Sequence, residues 1–527
     1  MDSECLPVLE KKWRSVSRVI FKQDIGPLSD YIPWLTRFNL PMKYRKSSVC
    51  GSEIAYAISE YSENSKWVGL EEIDFNKKFE PLSLNEIKDI DSLLSSLSDR
   101  FYYAGNIILG NSGQVERSSN ISDSYFMHQT GLYNDCKYMA YSTHGRLNEE
   151  CFGGNAIGES AHCINCFETF RDKRCLELWM AQNCSDCYYS HNLDTCQDCM
   201  FCFNVKNRRH AIGNLELPPE KYAQIREKLL SEMAHMLKKK KKLPALVDIA
   251  AKCSGMKPEI TLQTQKPEPT DKRPMETAFA KTYSLLFGKP PSGDMDAYSE
   301  WLMRHTRKIE YIPSAFSKKK VVRYDYASYF EIPKERLLKR EEAIALGEQA
   351  KIGEGEATSL TLSNSHEKIS PIAFFTSEYQ EGTHSNLIDV ATSSSSTNCY
   401  RSSPAVYSKY CGYTFWPRST EHAFGCTSLL DSEFCINCYW SVKLRRCFEM
   451  DSCRTCSDCL YCHNCENLTD CMFCFNTKNK RYSIGNVEVG REKFLEMKQL
   501  ALSAISRSLD SKHDLALDIY NLGRSKK

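Results

Sequence analysis

The sequence predicts a mixed, mainly β fold: two tandem parallel β-solenoids of about 12 residues per turn with cysteine-lined interiors. Each is preceded by an α+β lead segment and closed by a C-terminal helix. Three observations carry this expectation. Of the 26 cysteines, 23 fall on a three-residue grid, running from Cys136 to Cys202 in one half and from Cys399 to Cys474 in the other. Twelve-residue steps overlie the grid, through Cys151, Cys163, Cys175, Cys187 and Cys199, and again through Cys435, Cys447, Cys459 and Cys471. Finally, residues 163–214 match residues 435–486 without a gap at a constant offset of 272. Self-similarity at a short fixed period marks a solenoid, in which each repeat buries its inner face on the next.

The grid positions that lack cysteine define the interior. They hold Met127, Thr130, Tyr133, Gly154, Ile157, Ser160, Leu178, Ala181, Ser190 and Leu193 in the first half. In the second they hold Val390, Ser393, Ser396, Ser402, Ala405, Ser408, Leu429, Ser432, Ser441, Leu444 and Met450. Charge enters at Asp172 and, in the last rows, at Arg208 and Lys480. A strand alternates with period two, so a period of three requires a tightly coiled backbone with four inward residues per turn.

Taken in order, residues 1–110 form an α+β lead segment and 111–217 the first cysteine-rich solenoid. The first capping helix is 218–243, opening on Pro218-Pro219-Glu220, since proline is favoured at a helix start. Tyr222, Ile225, Leu229, Met233 and Met236 mark its apolar face. A polar, proline-bearing linker is expected over 244–274, followed by a second lead segment at 275–386. The second solenoid is 387–490, and a capping helix and tail complete 491–527. In that last helix Phe494, Met497, Ala501 and Ile505 repeat the apolar face, with Ser508 where Met236 predicts an apolar residue. An outer apolar stripe also recurs once per row. It runs through Ala140, Phe152, Ile164, Leu176, Tyr188 and Met200, and through Tyr400, Gly412, Phe424, Ile436, Phe448, Leu460 and Met472. Such a stripe must be covered, by a lead segment, a capping helix, the matching face of the other half or a partner protein.

Net charge near +2 gives no global pull toward nucleic acid or acidic membranes, and no run of about 18 apolar residues suggests a membrane span. The N-terminus lacks an apolar signal core, so a cytoplasmic location with reduced thiols is expected.

The chemistry rests on paired C-x2-C units, a zinc signal by spacing. The best candidate ligands are Cys184, Cys187, Cys199 and Cys202, with Cys456, Cys459, Cys471 and Cys474. Zinc is the first candidate metal and an iron–sulfur centre the second. Against this, buried cysteine packs as a small hydrophobe, and the grid exchanges cysteine with Ser, Ala, Leu and Met. Lys206, Arg208 and Arg209, recurring as Lys478, Lys480 and Arg481, could meet phosphates, with Phe201, Phe203, Phe473 and Phe475 stacking on bases. His191 and His463, off the inward grid, are expected on the surface. Sequence thus favours a non-catalytic scaffold or protein-interaction module, then a metal-binding protein, then a nucleic-acid- or ribosome-associated factor.

The stretch C-x2-C-F-N-x-K-N-[RK]-R-x-x-I-G-N closes both repeats, as CMFCFNVKNRRHAIGN and CMFCFNTKNKRYSIGN. It resembles the ends of uncharacterised cysteine-rich repeat proteins of candidate-phyla bacteria and small archaea. That resemblance implies the solenoid and its closing helix, here in two copies, and brings no activity with it.

Overall fold

A computed structural model describes residues 4–83, 87–158, 162–164, 166–167, 173–255, 257–262, 268–326, 329 and 331–524. The grid residues Ser160 and Asp172 and the Ile157 side chain lie outside this description. The fold is mainly β, with parallel strands in both halves and helices around them.

The period of three has a backbone cause. Asp123, Phe126, Gln129, Leu132, Asp135, Tyr138, Tyr141 and His144 all have φ between 49° and 65°, and each immediately precedes a grid residue. One left-handed residue in every three turns the chain, so a side of each row is three residues long. Ordinary residues resist this region, whereas Asn and Asp tolerate it. The later rows accordingly use Asn183, Asp186, Asn192, Asp198, Asn204 and Asn207, and then Asp458, Asn464, Asn467, Asp470, Asn476 and Asn479.

Rows stack in parallel with a twelve-residue register, as Lys137 beside Tyr125, Cys163 beside Cys175 and Cys399 beside Cys411. Two of the three N–H groups in each triplet pair between rows: His191 N–H donates to Cys202 O, and Asn204 N–H to His191 O, both at 2.9 Å. The third belongs to the inward residue and, where the previous row places a hydroxyl or thiol there, meets that side chain. Thr130, Leu444, Cys453 and Cys202 donate to the hydroxyls of Ser118, Ser432, Ser441 and Ser190 at 2.9–3.0 Å. Cys438 and Asn148 donate to the thiols of Cys426 and Cys136 at 3.4 Å. A buried N–H without a partner is costly, so small side chains ending in O or S suit the interior. All 23 grid cysteines are buried, in two apolar clusters shared with Met127, Leu178, Leu193, Val390, Leu429 and Met450.

The final row of each half is closed by the I-G-N signature. Gly213 and Asn214, with φ of 55° and 66°, reverse the chain so that Leu215 pairs antiparallel with Ile212. Gly485 and Asn486 do the same for Val487 and Ile484. The Asn214 side chain also accepts from Phe203 N–H and donates to Phe203 O, and Asn486 treats Phe475 alike. Closing helices Pro219–Lys240 and Arg491–Lys512 follow, each ending on a left-handed residue, Lys241 or His513. The buried residues at their ends are Leu237 and Leu509, 272 apart. The repeat therefore continues past Ser508, and Met236 is only partly buried.

Both apolar stripes are covered, and not by each other. The lead helix Cys5–Phe21 lies over the first, with Trp13 edge-on to Phe152 at 5.3 Å. Helix Arg273–Phe287 lies over the second, with Phe279 and Phe287 against Phe424 and Phe448 at 5.3 and 5.1 Å. Gly412 interrupts the stripe to make room: a Cβ there would lie 2.6 Å from Met295 Sδ and 2.8 Å from Phe424.

Beyond these helices the two halves exchange cover. Segment 54–103 joins the core of the second half, and segment 312–375 joins the core of the first. The exchange is reciprocal to the residue. Asn204 Nδ2 donates to Phe374 O at 2.9 Å and Asn476 Nδ2 to Tyr102 O at 2.7 Å, each partner shifted by 272 in opposite directions. The expected linker opens instead with helix Leu246–Ala251, whose Leu246, Val247, Ile249 and Ala250 are buried in the first half.

Because each half is completed by the other, denaturant unfolding is expected to give one transition by both tryptophan fluorescence and circular dichroism. Asn476→Ala should shift that whole transition by about 1–2 kcal/mol. Separate transitions for the two halves would contradict the exchange.

Candidate functional site: the thiol interiors and the buried seams

The eight candidate metal ligands stand in the last rows of the two stacks, where each thiol donates to backbone. Cys184 reaches Gln182 O at 2.9 Å and Leu193 O at 3.6 Å; Cys187 reaches Ser185 O at 3.3 Å. Cys199 and Cys202 bond Gln197 O and Met200 O at 3.5 and 3.4 Å. In the second half Cys456, Cys459, Cys471 and Cys474 repeat this with Arg454, Ser457, Thr469 and Met472 carbonyls at 3.1–3.5 Å. Neighbouring thiols also perturb one another: Cys459 and Cys474 lower the Cys471 thiol to about 5, while burial and the adjoining thiols push Cys459 and Cys474 up. Sulfur is a donor that zinc or an iron–sulfur centre accepts, but among the described residues no three Cys, His, Asp or Glu are grouped to hold a metal ion. The described residues contain no disulfide.

The basic residues are engaged locally. Lys206 pairs with Asp194 at 3.0 Å, Arg208 with Glu216 at 3.0 Å, Lys478 with Glu466 at 3.0 Å and Lys480 with Glu488 at 3.9 Å. The backbone N–H groups of Arg209 and Arg481 donate to Glu216 and Glu488, the Arg481 guanidinium lies over Tyr482, and the Arg209 side chain is exposed. Phe201, Phe203, Phe473 and Phe475 cannot stack on bases, because all four are buried beneath the covering segments. Among the described residues, no helix is long and apolar enough to cross a membrane.

The histidines overturn their expectation: His191 and His463 are fully buried. Each receives a backbone N–H from the exchanged segment, Thr376 to His191 Nε2 and Ala104 to His463 Nε2, both at 2.9 Å. These donors also stand 272 apart. An Nε2 that accepts leaves the ring proton on Nδ1. In the second half His463 Nδ1 then donates to Asp451 at 2.7 Å, and Asp451 also accepts from Tyr61 at 2.7 Å and Tyr520 at 3.3 Å. One carboxylate thus joins the second stack, the exchanged segment and the strap that follows the second closing helix, through Tyr520. In the first half Trp179 replaces Asp451, and burial pushes the His191 imidazole down to about 3, keeping it neutral.

Two further carboxylates that sequence reasoning passed over fasten the straps following each closing helix. Glu177 accepts from Leu246 N–H at 2.9 Å and Trp179 Nε1–H at 3.0 Å. Glu449, 272 residues on, accepts from Ile519 N–H at 2.8 Å and Asn437 Nδ2 at 3.1 Å. Their signal was an acidic residue at matching places in both repeats, one after a stripe residue. Burial raises Glu177 to about 7 despite those donors, and raises Glu449 well above the carboxylate range, with Asp518 nearby adding to it.

Compared with known proteins, the chain matches no family model, no curated protein and no solved structure.

A carboxyl group raised on folding stabilises most below its unfolded pKa, and loses that contribution as pH rises through the folded value. Relative to Glu177→Gln, which keeps an acceptor for Leu246 and Trp179, the wild type should lose about 3 kcal/mol of stability between pH 4.5 and about 7. Unfolding free energies of both proteins across that window check this; a constant difference would contradict it.

Proposed function

We propose that the two cysteine-rich stacks are β-solenoids and that the protein is a non-catalytic scaffold, presenting two rigid stacks to protein partners in the cytoplasm. One observation supports this best: the thiols and hydroxyls of the interior serve the backbone, which gives cysteine a constructional use in a reducing compartment. The apolar stripes, the histidines and the strap carboxylates are likewise spent on joining segments. Partly exposed along the stacks is a set of twelve-residue ladders. Arg446 pairs with Asp458 through two bonds of 2.6 and 2.7 Å, and Lys409 with Glu421 at 3.5 Å. Aromatic rungs run Tyr410–His422–Phe434 and Phe126–Tyr138 at centroid distances of 4.6–5.1 Å. Repeated surfaces of this kind suit recognition along an extended face.

The test is elemental analysis joined to thiol counting on protein purified under reducing conditions. Nearly all thiols should react after denaturation, with no stoichiometric zinc or iron. Two or more tightly held metal ions per chain would overturn the scaffold reading in favour of the terminal C-x2-C pairs as ligands.

A further inference from the structure

Where the two halves meet there is an open cleft of 160 Å³, and segments from both lead regions and both stacks line it. One wall is apolar: Ile58 and Leu132, with Trp440 from the opposite stack. The polar lining is Lys43 and Arg307, one from each half, with Ser59 and Glu60. Among the described residues neither cation has a carboxylate within ion-pair distance, whereas most lysines and arginines along the stacks are paired. Arg307 keeps enough field to help burial depress the neighbouring His144 to about 4.

The equivalent hairpin of the other half carries a larger side chain at one lining position. The hairpins align through Tyr56, which faces Lys43, and Tyr324, which faces Ile309. Two residues further on, Ile58 corresponds to Tyr326. Beside Pro404, 272 residues after Leu132, Tyr326 lines a crevice of only 10 Å³ together with Tyr324 and Tyr329, whose counterparts Tyr56 and Tyr61 are tyrosines as well. The one change among these rings is thus Tyr326 in place of Ile58, and the Ile58 side holds a cleft with two cations that have no carboxylate within ion-pair distance among the described residues. A cavity near 150 Å³ holds one benzene-sized ring, and ligands favour seams between structural units. Two cations against one carboxylate leave a net charge that suits a monoanion.

We propose that this cleft binds a small aromatic carboxylate, its ring against Trp440, Ile58 and Leu132 and its carboxylate between Lys43 and Arg307. The site is separate from the scaffold role and stands or falls independently of it. The experiment uses the full chain, with 4-fluorobenzoate as probe followed by fluorine NMR, and 4-fluorobenzyl alcohol as the neutral control. Saturable binding of the acid at millimolar concentrations is expected, with weaker binding of the alcohol. Arg307→Gln and Lys43→Gln should each weaken the acid by about tenfold. Ile58→Tyr, which copies the other half, should abolish binding in protein that still unfolds in one transition. Absence of binding to the wild type, equal binding of the alcohol, or binding indifferent to these substitutions in folded protein would overturn the proposal.

Discussion

The left-handed residue at every third position is the constraint on which the structure depends. It shortens each side of a row to three residues, which leaves one inward side chain per side and favours small or slender ones. It also leaves the inward N–H out of the inter-row ladder. A short side chain ending in oxygen or sulfur answers both demands, because it fits the interior and accepts that N–H. Cysteine, serine and threonine therefore share the lattice for a common reason. The Cys438 N–H bond to Cys426 and the Cys453 N–H bond to Ser441 are the same device with different atoms.

A second consequence follows at the next scale. A narrow stack has much surface for its interior, so stability must come from covering its outer stripe. Helices Cys5–Phe21 and Arg273–Phe287 do this locally, and the exchanged segments complete it. The seams so formed are polar as well as apolar. Asp451, His463, Tyr61 and Tyr520 form a buried cluster whose members each have hydrogen-bond partners, and such clusters are tolerated only when satisfied. Removing a partner there costs more than the bond itself, because a buried carboxylate is left behind. These seams fix how the halves sit, and the cleft at Lys43 and Arg307 lies among them.

Much of this was legible in the sequence. The grid, the twelve-residue step, the duplication and the need to cover the stripe can all be read from residue types. The reach of the exchange cannot, since Asn204 meets Phe374 and Asn476 meets Tyr102 with nothing local to announce it. His191 and His463 were misplaced for a related reason: a residue off the inward grid is exposed only if nothing lies outside it, and here two sides of each row are covered. The apolar identity of Phe203 and Phe475 was visible, but not that they pack under a segment from the other repeat. The hydrogen-bonding role of cysteine was half visible, in the serines and threonines that share its positions.

The central claim is that interior thiols act as acceptors for the backbone of the next row, and paired substitutions at Cys426 test it most directly. Cys426→Ser keeps an acceptor for Cys438 N–H and should stay within about 1 kcal/mol of the parent by equilibrium unfolding. Cys426→Val is more apolar and similar in size, yet strands that N–H and should cost about 2 kcal/mol or more. A valine variant as stable as the serine variant, or more so, would show that the thiols are spacers alone and would contradict the account.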